Sequence, residues 1–137
     1  MLVWRMPITS QQAIKDCSAA IRLNPKHTEA YVLRGSCYAV SSRPVQALKD
    51  YDEAIKVDDK CVEAYFSQAL LHIERREVDK ALTDLSTAID REPDNAEALY
   101  ARGLIYTDKG EFAKAKKDLD RAFKIRPELA DRKLTDK

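Results

Sequence analysis

One interval governs this chain: residues of the same kind return every 34 positions. Ala20, Ala54, Ala88 and Ala122 are spaced in this way, as are Ala13, Ala47, Ala81 and Ala115, and Asp16, Asp50, Asp84 and Asp118. A fixed period of this length marks a stack of small units that bury their apolar faces on one another rather than one globular core. Such a stack offers a long surface to a partner and does not close around a reaction.

Each unit reads as two helices joined by short turns. Between Thr28 and Cys61, Ala30, Tyr31, Leu33, Arg34, Gly35 and Tyr38 fall on one face of a first helix at spacings of three and four. Pro44 suits the first turn of a second helix, whose inner face carries Ala47, Leu48, Tyr51, Ala54 and Ile55. Units at 62–95 and 96–129 repeat the pattern, and 10–23 reads as a second helix whose first helix is cut short. Pro25, Pro93 and Pro127 stop helices, and Asp59 takes that place in the middle of the chain. Gly110 stands where a helix needs a left-handed residue to end, and Asp94 or Asn95 is placed to cap a helix beginning near Ala96.

These residues resemble the tetratricopeptide repeat superfamily. Its pattern appears here as Tyr31, Gly35, Tyr38, Ala47, Tyr51 and Ala54, and again as Leu99, Gly103, Tyr106, Ala115, Leu119, Ala122 and Pro127. The middle copy departs at His72, where Tyr is usual, and at Asp59, where Pro is usual. The resemblance covers roughly Ser10 to Leu129. It implies an all-α, right-handed superhelical solenoid: a partial repeat at 1–27, full repeats at 28–61, 62–95 and 96–129, and a polar cap or tail at 130–137.

Composition agrees with amphipathic helices. Charged residues make up 34% of the chain and hydrophobic residues 45%, with only 3 Gly and 5 Pro. The net charge of +1 argues against nucleic acid as the main partner, since phosphate binding needs a net basic face. Cys17, Cys37 and Cys61 form no disulfide framework, which points to a reducing, cytoplasmic compartment. No apolar run approaches the roughly 20 residues needed to span a bilayer.

No constellation of catalytic residues stands out, so an enzyme is not expected, nor is a cofactor or a metal. His72 reads as a packed, hydrogen-bonded core residue, and neither it nor His27 has ligand partners at metal spacing. The aspartate ladder reads as structural, with Arg34 and Arg102 placed to pair with an Asp on a second helix. The basic run from Lys109 to Arg126 is interleaved with Glu111, Asp118 and Asp120 and reads as a solvated capping face.

The resemblance places the working surface on the first helices, which in this superfamily line a concave groove for extended or helical peptides. Carried over, that face holds Glu29, Val32, Ser36 and Ala39, then Glu63, Phe66, Leu70 and Ile73, then Glu97, Tyr100, Leu104 and Thr107. Val32, Phe66 and Tyr100 form an apolar ladder, and Glu29, Glu63 and Glu97 an acidic one. Such a groove suits a protein or peptide with apolar anchors and basic flanks. Some three-repeat members clamp the terminal carboxylate of heat-shock chaperones with Lys, Asn and Arg. The matching places here are Val32, Ser36, Ser67, Glu97 and Ala101, so that ligand is not expected.

Trp4 lies 34 residues before Tyr38, so Met1 to Met6 read as the last turns of the shortened helix or as an unrelated leader. Ile14, Cys17 and Ile21 then lack a full covering layer. A second reading follows, in which the chain is a structural segment of a longer array that forms homo-oligomers through this N-terminal face.

Overall fold

The structure, a computed structural model, describes residues 9–135, with side chains for residues 9–132. The expectation for Met1 to Met6 lies outside the described residues. Among those described, eight helices follow in order: α1 (Ser10–Leu23), α2 (Thr28–Val40), α3 (Pro44–Val57), α4 (Val62–Glu74), α5 (Val78–Arg91), α6 (Ala96–Asp108), α7 (Phe112–Ile125) and α8 (Glu128–Thr135). Packing divides the chain into two compact units, Met1–Ser67 and Gln68–Lys137, and the division falls inside α4.

The helix ends show why the period persists. Second helices α1, α3, α5 and α7 stop at Asn24, Asp58, Glu92 and Arg126, whose N–H groups donate back to the carbonyls of Ala20, Ala54, Ala88 and Ala122. At the first two of these ends the side chain also holds the turn. Asn24 Oδ1 accepts from Lys26 N–H at 3.1 Å, and Asp58 Oδ1 from Lys60 N–H at 3.0 Å. The turn at Asp58 and Asp59 thus closes with the same side-chain-to-backbone bond as the turn at Asn24 and Pro25, with or without a proline.

The turns within each helix pair carry a second periodic device. Gly110 is left-handed as expected, with φ +79°, but Ser42 and Arg76 adopt the same region at φ +61°. At each, the following N–H closes the turn on Tyr38, His72 or Tyr106, at 2.8–2.9 Å. At the start of α6, Asn95 Oδ1 accepts from Ala98 N–H at 3.0 Å, and at the start of α2, His27 Nδ1 accepts from Ala30 N–H at 3.3 Å. His27 is thus a cap.

In the first unit α2 packs against both α1 and α3. Gly35 brings α2 close to α3: an added Cβ would lie 2.7 Å from the Tyr51 ring and 3.2 Å from the Ala47 carbonyl. Tyr31, Val32, Ala54 and Ala64 form the core, with Ile21, Ile55, Val57 and Cys61 against it. Two expectations are corrected here. Leu33 is 54% exposed rather than inward, because it lies two residues, about 200° of helical rotation, past Tyr31. Cys17 is buried, and Ile14 and Ile21 are half-buried, so the N-terminal face is covered more fully than the sequence implies.

In the second unit α6 packs against α5 and α7, and α7 against α8. Gly103 repeats the close approach, its absent Cβ 2.7 Å from Leu119 Cγ. Ala96, Leu99, Tyr100, Leu119, Ala122 and Leu129 form this core. Leu129 is fully buried and belongs to α8, which docks on this core through it.

Candidate protein-interaction surface

The aspartate ladder divides into three kinds of contact. Arg34 donates to both carboxylate oxygens of Asp50, at 2.8 and 2.7 Å, and to Ser18 Oγ at 3.1 Å. Arg102 repeats the arrangement with Asp118, at 2.7 and 2.9 Å, and with Ser86 at 3.2 Å. These forks join three successive helices, and the paired carboxylate pushes the pKa of each arginine further up. In the middle repeat Gln68 replaces arginine, and His72 approaches Asp84 with Nε2 3.6 Å from Oδ2. Asp16 is exposed and accepts from Gln12 at 3.0 Å. Asp50 and Asp118 are therefore structural, buried and fully engaged.

His72 is 7% exposed, with Nδ1 3.3 Å from Glu77 Oε1, as expected of a packed core residue. Hydrogen bonds from Lys80 and then His72 lower the Glu77 pKa to about 2. Among the described residues no group of His, Cys, Asp or Glu is placed to hold a metal ion. The basic run is largely matched: Lys109 with Asp79, Lys114 with Glu111, Lys116 with Asp120, and Arg121 with Asp94.

The residues named for the first-helix surface differ sharply in accessibility. Val32 is 3% exposed and Tyr100 7%, so neither belongs to an exposed apolar ladder. Each lies one residue, about 100°, past the core position filled by Tyr31 or Leu99, and the core extends round to meet it. Ser36 directs its hydroxyl to Tyr51 Oη at 3.2 Å, and Leu104 packs on the second core. Phe66 is half-buried, while Leu70 is 44% exposed. The acidic ladder is also uneven. Glu29 is 85% exposed and Glu63 is exposed, whereas Glu97 is held by Arg126 at 2.9 Å and Arg132 at 3.4 Å.

Each unit presents its own cleft along this set. In the first unit an open polar cleft of about 390 Å³ has Glu29, Glu63 and Asp58 on its walls, with Lys26 and His27, over Val32. In the second, an apolar cleft of about 500 Å³ is formed by Ile73, Val78 and Ile105, rimmed by Glu74, Arg76 and Lys109. Val78 and Ile105 were not singled out from the sequence. The signal was present, since Pro44, Val78 and Phe112 share one place in the period at the start of a second helix.

Helix pairs repeating at a fixed interval, with buried polar forks between helices and clefts along the first helices, define an all-α protein of the helical-repeat solenoid class. The chain belongs to the tetratricopeptide repeat family, whose model matches residues 10–60, 41–85 and 66–130. Repeats of this family are protein-interaction modules, and the chain is accordingly a protein-interaction scaffold. No curated protein matches the sequence. Similar solved structures include MamA, with TM-score 0.79 at 24% identity, covering 89% of this chain and 71% of that one. A tetratricopeptide repeat protein from Parabacteroides merdae gives 0.77 at 26%, covering 86% of this chain, which spans about half of that protein (47%). YrrB, described as a tetratricopeptide repeat protein with an unusual peptide-binding site, gives 0.71 at 24%, covering 86% and 61%. Among the described residues no helix is long and apolar enough to cross a membrane.

Proposed function

We propose that the chain is a non-enzymatic scaffold that takes a peptide or helix along its first helices, with apolar anchors and basic flanks in the ligand. The observation that carries this reading is the pair of clefts, an acidic one bordered by Glu29 and Glu63 and an apolar one bordered by Ile73. Carboxylates on the rim select a basic flank and speed encounter, while the apolar wall supplies affinity. The peptide-binding description of YrrB lends support at the level of fold.

Selection from a displayed peptide library tests the proposal. Selected peptides are expected to be enriched in Lys or Arg for the first unit's cleft and in aliphatic residues for the second's. Glu29→Lys, Glu63→Lys should remove the basic preference, and Leu70→Asp, Ile73→Asp should weaken binding at least tenfold. A consensus without basic residues, or binding unchanged in variants that stay folded, overturns it. Self-association through Ile14 and Ile21 is the second reading. The burial of Cys17 leaves it less apolar surface, and solution mass against concentration separates the two.

A further inference from the structure

The middle repeat departs from its neighbours at two places that bear on one aspartate. Gln68 stands where the repeats on either side have Arg34 and Arg102, and His72 where they have Tyr38 and Tyr106. The two places are neighbours: in the last repeat the Arg102 guanidinium lies 5.8 Å from the centre of the Tyr106 ring. In the outer repeats an arginine, charged at every relevant pH, holds Asp50 or Asp118. At Asp84 a neutral glutamine takes the arginine's place, and His72 brings Nε2 to 3.6 Å from Oδ2. A titratable group thus stands where the other repeats keep a fixed cation. The two side chains are only 9% and 14% exposed, so salt and water screen the pair little.

The other side of the ring is anchored. Nδ1 lies 3.3 Å from Glu77 Oε1, and the His72 carbonyl accepts from the Glu77 N–H at 2.8 Å. Glu77 is itself held by Arg75 at 3.0 Å and Lys80 at 3.1 Å, and with its pKa lowered to about 2 it remains a carboxylate throughout the neutral range. A carboxylate at Nδ1 keeps a proton on that nitrogen in either state of the ring. Nε2 is then the nitrogen that exchanges its proton, and it faces Asp84. Protonated, it supplies the charge that arginine supplies elsewhere. Neutral, it turns a lone pair toward a carboxylate. Glu77 from the turn and Asp84 from α5 are the charged groups that reach the ring, with Arg75 and Lys80 behind Glu77, and among the described residues α6 brings none.

We propose that His72 is a proton-dependent link between α4 and α5, complete when Nε2 carries a proton and broken when it does not. Histidine changes charge between about pH 5 and 8, so the link is made at the acid end of that range and lost at the alkaline end. The turn it fastens forms one wall of the apolar cleft, through Ile73, Glu74, Arg76 and Val78. The shape of that cleft, and with it the binding of a ligand there, is coupled to the proton. The coupling to a ligand rests on the assignment of the cleft to the interaction surface, whereas the link itself does not.

Nuclear magnetic resonance on the full chain tests the link without a ligand. Between pH 5.5 and 8 the ring of His72 should keep its proton on Nδ1 and lose it from Nε2, and the methyl signals of Ile73, Val78 and Ile105 should shift in step. Gln68→Arg, which returns an arginine to Asp84, should flatten the methyl titration. In denaturant, the unfolding constant of wild type relative to His72→Tyr should rise at least about fivefold over the same range. That comparison cancels His27, the other histidine. In the Gln68→Arg background the same ratio should stay level. Loss of the proton from Nδ1, methyl signals that ignore the ring, or a level ratio in the parent chain overturns the proposal. Should His72→Tyr fail to fold, the titrations of wild type and Gln68→Arg decide alone. Failure of the library experiment with success here would leave the link in place and remove its bearing on a ligand.

Discussion

Arg102 places Nε and Nη2 against the two carboxylate oxygens of Asp118, sixteen residues later on the neighbouring helix, while Nη1 reaches Ser86. Asp118 is 5% exposed, so its charge depends on that fork for compensation. Arg102→Ala should lower stability by about 3 kcal/mol in urea denaturation, because an uncompensated buried carboxylate remains. Arg102→Lys should recover only part of the loss, since an ammonium lacks the planar fork. A loss below about 1 kcal/mol for Arg102→Ala would show that Asp118 finds water or another donor.

The glycines are tested separately. At Gly103 a methyl group meets the Leu119 side chain, and at Gly35 it meets the Tyr51 ring and the Ala47 carbonyl. Both substitutions to alanine should destabilise by about 1–3 kcal/mol, the range for overpacking. Gly35→Ala should cost more, because an aromatic ring held by Ser36 and a backbone carbonyl yield less than a leucine. Thermal melts rank the two, and the reverse order contradicts this account.

Ser42 and Arg76 hold left-handed backbone that glycine adopts freely. An L side chain costs roughly 1–2 kcal/mol there. Ser42→Gly and Arg76→Gly should each raise the melting temperature, the net gain reduced by glycine's greater freedom in the unfolded chain. Unchanged melting temperatures would mean that unfolded-state entropy cancels the relief of strain.

Glu77 supplies a pH test. Its pKa is lowered to about 2 by Lys80 and then His72, so its contribution is fully present above the ordinary carboxylate value near 4.5. That contribution fades as pH falls toward 2. The melting-temperature difference between wild type and Glu77→Gln should hold steady from pH 7 to about 5 and shrink between about 4.5 and 2. A difference that grows on acidification would reverse the sign of the argument.

Much of the local structure was legible in the sequence. Helix pairs, the left-handed Gly110, the Asn95 cap and the pairing of Arg34 and Arg102 with aspartates all follow from residue type and spacing, because each is set by neighbours within a turn or by the repeat itself. The accessibility of the interaction surface was not. Val32 and Tyr100 share a periodic place with Phe66, yet the two are buried while Phe66 is half-buried. Period assigns a residue to a helix face, but burial depends on what the adjoining helices lay over it.

The 34-residue interval determined that the chain is a series of like helix pairs, and the resemblance of its residues to the tetratricopeptide pattern supplied the solenoid fold class. Tertiary structure decided which members of each ladder remain available. It left Glu29 in an open cleft with Asp58, closed Glu97 with Arg126 and Arg132, and set Leu129 of α8 into the core beside Tyr100. The reason is physical. Helix pairing depends on small residues that recur at the period, whereas exposure depends on contacts between elements far apart in sequence, which a local pattern does not encode.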